Sequence, residues 1–287
     1  MNRTAAARKA SEYSPREYWS GVADRAGASD SAGYAPVLHP HAPPWFNRLI
    51  DELQLRALRK ALAIAAIPPA ARVLDVGCGT GRWLRRFAEF GYHATGVDAT
   101  QGMLHLARSR QTASPLVAGE AVRLPFADAS FDAVADVTVV QHIPAELQPQ
   151  ALAEMVRVLK PGGALLLFEL IRGRDAHIFP RAPQDWIAQA AQRGPRLVAW
   201  FGQEFLIFDR AFVRAARVLT RGASPQFPPQ PRPLAAAHAN APRPSASRQI
   251  YWHLRHVTAP LSAWLDPIVE KLLPPSLATH GVFIFRK

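Results

Sequence analysis

The chain has 287 residues, and its 34 Lys and Arg against 22 Asp and Glu give a formal net charge of +12 at pH 7. Apolar residues make up 49 % and charged residues 20 %, values typical of globular proteins, so the chain as a whole is not a disordered or fibrous one. No run of about 18 apolar residues occurs, and we expect no membrane span. The single cysteine excludes an intramolecular disulfide, and we expect a cytoplasmic protein.

The positive charge suits anionic partners such as nucleic acid, anionic lipid or a phosphorylated substrate. The arginines are scattered, however, and no run of five or more Lys and Arg occurs. We therefore expect no nucleic-acid partner. No spacing of His, Cys, Asp and Glu indicates a metal site.

Residues 1–69 are predicted to form an N-terminal extension. Its first part is irregular and carries aromatic residues, among them Tyr18 and Trp19, between Gly, Ser and Pro. Apolar residues at helical spacing then predict an amphipathic helix over 44–66. Pro68 and Pro69 end it.

The next stretch, residues 72–83, carries the strongest signal in the chain. Val73, Leu74 and Val76 predict a short buried strand, and three glycines follow at alternate positions, Gly77, Gly79 and Gly81. Glycine allows positive φ and lets a ligand approach the backbone. A helix that begins behind such a turn directs unpaired N–H groups at the ligand. The pattern predicts a nucleotide- or carboxylate-binding turn.

The second strand, residues 93–98, narrows the choice of nucleotide. It ends in Asp98, and an acid at that place suits ribose hydroxyls. A dinucleotide fingerprint would need a third glycine at position 82, where the chain has Arg82. A nicotinamide oxidoreductase is therefore disfavoured.

Further strands and helices alternate along the chain up to residue 201. We predict strands over 115–118, 131–139, 164–170, 196–200 and 281–287, and helices over 100–107, 147–159 and 203–220. Residues 222–248 hold seven prolines and predict a flexible linker. Helical segments around 251–254 and 261–273 follow it.

Three motifs together resemble the class I S-adenosylmethionine-dependent methyltransferases, in their small-molecule group (methyltransferase type 11-like). They are V-L-D-V-G-C-G-T-G over 73–81, G-V-D over 96–98 and L-P-F-A-D-A-S-F-D over 124–132. The resemblance implies a Rossmann-like α/β fold with a doubly wound, mostly parallel seven-stranded sheet whose last strand is antiparallel. It implies S-adenosyl-L-methionine as cofactor, held by Asp75, Gly77, Gly79, Gly81, Asp98, Ala99, Met103, Glu120, Ala121 and Val139.

The resemblance also divides the chain. Residues 70–201 form the cofactor-binding core, and 281–287 its final edge strand. Residues 202–280 are a helical insertion between the last two strands, with the linker at 222–248. Relatives often use an aromatic N-terminal segment as a lid, and a surface arm is the alternative here.

The acceptor is a separate question. We expect methyl transfer to a small molecule, with a hydroxyl favoured, and His142 is the candidate base because it follows the fourth strand and histidine titrates near neutral pH. An alternative is that His142 packs on the ligand without moving protons. We expect Tyr18, Trp19, Tyr251, Trp252 and His253 to contact the acceptor. Alternatives for the whole chain are an RNA methyltransferase and a non-catalytic cofactor-binding protein. The oligomeric state is open.

Overall fold

The computed structural model describes residues 13–26, 38, 42–110, 113–173, 177–219 and 246–287. The first twelve residues and most of the predicted linker, residues 222–245, lie outside the described residues. Among the described helices, none is long and apolar enough to cross a membrane.

Seven strands form one sheet in the order β3-β2-β1-β4-β5-β7-β6. The first five are parallel to one another, whereas β7 is antiparallel to both of its neighbours. The predicted fold class is confirmed. The strands are β1 Arg72–Val76, β2 His93–Asp98, β3 Leu116–Ala118, β4 Phe131–Val137, β5 Leu159–Leu170, β6 Arg196–Gln203 and β7 His280–Arg286.

Helices cover both faces of the sheet, because side chains on successive strand residues point to opposite sides. Val73 packs in a core cluster with Leu58 and Phe87, while its neighbour Leu74 packs in a second cluster with Met155 and Trp186. The helices are α1 Pro15–Ala26, α2 Pro44–Ala65, α3 Arg82–Glu89, α4 Gln101–Ser109, α5 Gln148–Val158, α6 Pro183–Ala191, α7 Ile207–Leu219 and α8 Ala246–Leu272.

The register of the central strands brings their carboxyl ends to one edge. Val76 at the end of β1 lies beside Val97 of β2 on one side and Asp136 of β4 on the other. Strand order reverses at β1, which lies between β2 and β4. In open α/β sheets such a reversal leaves a crevice that binds ligands.

The insertion between β6 and β7 differs from the prediction at both ends. Strand β6 continues to Gln203, because it pairs with β7 as far as His280, and positive φ at Glu204 and Leu206 delays helix α7 to Ile207. The two helical segments predicted after the linker are one 27-residue helix, α8. It begins at Ala246, inside the predicted linker, because no proline occurs between Pro244 and Pro260.

Candidate active site

A cavity of about 240 Å³ lies at the carboxyl ends of β1, β2 and β4, with α1 at its rim. Its wall contains most of the residues predicted to bind cofactor, and also His142 and Trp19. The predicted members of the wall are Gly77, Gly79, Asp98, Ala99, Met103, Glu120, Ala121 and Val139. Among the predicted residues, Asp75, Gly81, Tyr18, Tyr251, Trp252 and His253 do not belong to it.

The glycine turn adopts the conformation expected from its spacing. Gly77, Gly79 and Gly81 have φ of +68°, +51° and +75°, which side chains disfavour. A Cβ on Gly77 would lie 2.5 Å from Val139 Cγ2. The turn therefore needs glycine at position 77 for its backbone angle and for its close packing against the residue after β4.

Asp98 closes the turn from the second strand. Its Oδ2 accepts a hydrogen bond from the Gly79 N–H at 2.9 Å and its Oδ1 one from the Thr100 N–H at 2.8 Å. Each carboxylate oxygen has a second lone pair, which leaves acceptor capacity on both oxygens for a ligand in the cavity. Burial raises the pKa of Asp98, and the two N–H donors oppose that rise.

Asp75 lies behind the turn. It is buried, and its Oδ2 has no hydrogen-bond partner among the described residues. Burial raises the pKa of Asp75 well above its usual range, although the Arg82 charge acts in the opposite direction.

Helix α1 lies over the cavity through one ion pair and an apolar contact. Arg16 donates to Glu120 Oε1 at 2.6 Å, and both side chains are largely exposed. Val22 and Ala23 pack against Met103 of α4. The exposed ion pair contributes little to stability, so the apolar contact with α4 does more to hold α1 in place.

His142 belongs to a stack of aromatic rings. Its imidazole lies parallel to that of His177, with ring centroids 5.3 Å apart, and Tyr18 stacks on the far side of His177 at 4.4 Å. Trp19 meets His142 edge-on at 5.1 Å. Tyr18 therefore reaches the site indirectly, through His177, while Trp19 contacts His142.

The hydrogen bonds of His142 determine its tautomer. Its Nδ1 lies 3.2 Å from the His177 carbonyl oxygen, which can only accept, so Nδ1 carries the proton. Gln141 accepts the Leu170 N–H through its Oε1 and directs its amide nitrogen at His142 Nε2, 3.4 Å away. Nε2 is therefore the unprotonated nitrogen.

His142 is also held in its neutral form. It is 9 % exposed, and burial lowers its pKa from 6.5 to about 3, with a further contribution from His177. A neutral imidazole beside a cavity can accept a proton or a hydrogen bond, and it cannot donate from Nε2.

Two buried acids hold the turn that presents His142. Glu169 accepts the N–H groups of Val140 and Gln141, both at 2.9 Å, and Asp136 accepts that of Val139 at 3.0 Å. Burial raises the pKa of both acids, that of Asp136 to about 6. The charge of Asp136 adds to the rise in the pKa of Glu169.

A buried ion pair joins the glycine turn to helix α2. Arg82, the first residue of α3, donates to Asp51 Oδ1 at 2.7 Å and to Gln54 Oε1 at 2.8 Å. Its guanidinium also lies over the Trp83 ring at 4.2 Å. Arg82, which takes the place of a dinucleotide glycine, thus belongs to the cavity wall and anchors it.

The structure does not bring the predicted insertion residues to the cavity. Trp252 packs on Trp45 and Phe46 of α2, and Tyr251 lies against Trp252. His253 is exposed on α8. The aromatic surface of these residues is used to join α8 to α2, away from the carboxyl ends of β1 and β4.

Residues 74–167, from β1 to β5, match the family described as "Methyltransferase domain". The matched range contains the glycine turn, Asp98, Glu120 and His142. The matched range is a methyltransferase domain. Within the described residues, no group of three or more His, Cys, Asp or Glu is arranged to hold a metal ion.

This methyltransferase domain has named relatives. It is 41 % identical over 122 residues to a malonyl-acyl-carrier protein O-methyltransferase of Erwinia pyrifoliae. The aligned region covers 42 % of this chain and 46 % of that relative. It is 38 % identical over 125 residues to a demethylmenaquinone methyltransferase of Renibacterium salmoninarum, with 43 % and 52 % covered. The chain spans about half the length of these curated relatives.

The fold extends beyond the matched domain. The crystal structure of the (4+2)-cyclase SpnF superposes with a TM-score of 0.52 and covers 81 % of this chain and 80 % of that chain. The sequence identity is 18 %, so this likeness shows the fold alone.

Several site residues had no signal in the sequence. His177, Arg16 and Asp51 lie on three different elements, and each acts through a partner far away in the chain: His142, Glu120 and Arg82. No short motif contains both members of such a pair. These pairs form only when α1 and α2 pack on the core.

Proposed function

We propose that the protein transfers a methyl group from S-adenosylmethionine to an oxygen nucleophile of a small acceptor. The observation that carries the proposal is one cavity with the glycine turn and Asp98 in its wall together with an unprotonated, neutral histidine nitrogen. The first of the named relatives is an O-methyltransferase, which supports oxygen as the target.

The residues of the cavity fit the cofactor. Asp98 and Glu120 both line the cavity. We expect Asp98 to accept from the ribose hydroxyls, and Glu120, two residues after β3, to accept from the adenine amino group. The wall between them is apolar, from Ala99, Met103 and Ala121. The N–H groups behind the glycine turn and the buried Asp75 suit the polar amino-acid end of the cofactor. When bound, the cofactor supplies an electrophilic methyl group on a sulfonium.

The role of His142 follows from its tautomer. Nε2 has one lone pair, which the Gln141 amide approaches only at a long 3.4 Å. An acceptor hydroxyl that displaces this contact can donate to Nε2 and give up its proton there as the oxygen is methylated. A pKa of about 3 keeps the imidazole neutral at every physiological pH. The same low pKa makes the imidazole a weak base. Its main contribution is therefore to orient the acceptor hydroxyl, and it takes the proton only once methylation of the oxygen has made that proton acidic.

The aromatic stack restricts the acceptor. Trp19 lies edge-on to His142, and Ile143, Pro144 and Leu147 add apolar wall.

A cavity of about 240 Å³ is below the ~300 Å³ at which small-molecule sites begin. We infer that helix α1 moves away when both ligands bind, with the Arg16–Glu120 ion pair broken so that Glu120 is available to the cofactor.

The cofactor arm of the test is calorimetry. S-adenosylmethionine and its demethylated product should bind, and NAD should not compete. Asp98→Ala should weaken binding by about 1–3 kcal/mol through the lost hydrogen bonds. Tight binding of NAD, with no response to S-adenosylmethionine, contradicts the proposal.

The transfer arm uses cofactor labelled in its methyl group and a library of hydroxylated small molecules. With an acceptor in hand, His142→Ala should lower turnover about 100-fold or more, the size typical of a positioned acid–base group. His105→Ala is the matched control, since His105 is exposed on α4, and it should leave turnover unchanged. Full activity in His142→Ala would remove His142 from the reaction.

A further inference from the structure

Helix α8 carries a stripe of large apolar side chains that faces away from the protein. Six of them are 46 to 75 % exposed, and they follow one another at intervals of three or four residues: Leu254, Val257, Leu261, Trp264, Ile268 and Leu272. This spacing places them along one side of the helix. Single exposed apolar residues are normal on a protein surface, but a continuous stripe of this length marks a contact surface.

The opposite side of α8 is already occupied. Ala259 and Ala263 pack with Phe46 of α2, and Asp266 accepts the N–H groups of Phe205 and Leu206. The stripe is therefore not needed to attach α8 to the protein. We call the exposed surface of α7 and α8 that contains this stripe the α7–α8 face.

The charge of the α7–α8 face has one sign. The carboxylates of the two helices are used internally: Asp209 pairs with Arg255, and Glu270 with Lys60. Among the described side chains of α7 and α8, the exposed charged residues are Arg210, Arg214 and Lys271, all of them cations.

We propose that the α7–α8 face docks on an anionic phospholipid bilayer, with α8 in the plane of the interface. Apolar residues on one side of a helix, a tryptophan among them, enter the boundary between headgroups and acyl chains, and flanking cations attract anionic lipid. A second copy of the chain is a poorer partner, since two such faces would bring cations of the same sign together. The proposal goes beyond methyl transfer and does not depend on the acceptor.

The test is flotation of the full chain with vesicles, scored as bound fraction against lipid concentration. One set of vesicles is phosphatidylcholine alone, and the other mixes phosphatidylcholine with phosphatidylglycerol. The wild-type chain should float with the mixed vesicles, bind neutral ones weakly and lose affinity at high salt. The triple variant Val257→Gln, Trp264→Gln and Ile268→Gln should bind about tenfold more weakly or worse.

The matched control changes the same three positions and keeps them apolar: Val257→Leu, Trp264→Phe and Ile268→Leu. It should bind as the wild type does. Circular dichroism and thermal unfolding check that all variants are folded, which we expect because the three side chains are exposed.

Three results would overturn the proposal. The first is a wild-type chain that does not float with anionic vesicles. The second is a glutamine triple variant that floats as well as the wild type. The third is a dimer in light scattering that the glutamine variant dissociates, or binding to a soluble acidic protein in place of vesicles, because either would assign the face to a protein partner.

Discussion

The neutral state of His142 makes a prediction about stability that does not depend on knowing the acceptor. The pKa of His142 is lowered from 6.5 to about 3 in the folded protein, first by burial and then by the nearby His177. Between these two values the unfolded chain binds a proton that the folded chain does not. Folding therefore becomes less favourable as the pH falls from 6.5 toward 3, and the histidine has no such effect above pH 6.5.

The size of the effect follows from linkage. Each pH unit in this window is worth about 1.4 kcal/mol of unfolding free energy. Between pH 7.5 and pH 5.5 the loss due to His142 is therefore about 1.4 kcal/mol, since only the lower unit of that interval lies below 6.5. The figure is the same for any folded pKa below about 4.5.

The assay is urea unfolding of the wild type and of His142→Gln at both pH values. Buried carboxyls with raised pKa, Asp136 among them, act in the opposite direction, because they stabilise the fold below their unfolded pKa and lose that contribution as the pH rises through about 6. They are common to both proteins, so the difference between the two curves isolates His142. Wild type should lose about 1.4 kcal/mol more than the variant on acidification. Parallel curves would refute the reasoning.

Three further predictions concern the frame of the site. Asp51→Ala removes the carboxylate that pairs with the buried Arg82 guanidinium and should destabilise the fold by about 3–5 kcal/mol, whereas Asp51→Asn should cost less, both measured by urea unfolding. Gly77→Ala should cost about 1–3 kcal/mol more than Gly91→Ala, because both glycines have positive φ but only Gly77 faces a close side chain; equal losses would mean that the turn can relax. Glu169→Gln replaces one of two carboxylate acceptors by a donor and should cost about 1–3 kcal/mol; an unchanged unfolding curve would contradict the role given to the buried acids.

Much of the cofactor side of the site could be predicted from the sequence. The conformation of Gly77, Gly79 and Gly81 depends on a few neighbouring residues, and strand–turn–helix patterns are local. Asp98 follows from the same logic, since an acid at the end of the next parallel strand must lie beside the turn. The seven-stranded sheet is predictable because each strand is a short apolar segment with its own signal.

The insertion shows where local signals fail. The prediction assigned its aromatic residues to the acceptor site, and the structure places Trp252 between α8 and α2. The spacing of apolar residues predicts that one side of a helix is buried, but it does not predict which element packs against that side. The predicted start of α7 at residue 203 was also wrong, because pairing with β7 extends strand β6 to Gln203.

The sequence by itself determined the fold class, the glycine turn and the position of Asp98, because these depend on backbone angles and apolar periods within short segments. Only the tertiary structure decided the state of His142. Its tautomer and low pKa result from the His177 carbonyl, the Gln141 amide and burial. Packing likewise left the apolar stripe of α8 exposed. Such properties depend on contacts between residues that are far apart in the sequence, and a short segment does not predict those contacts.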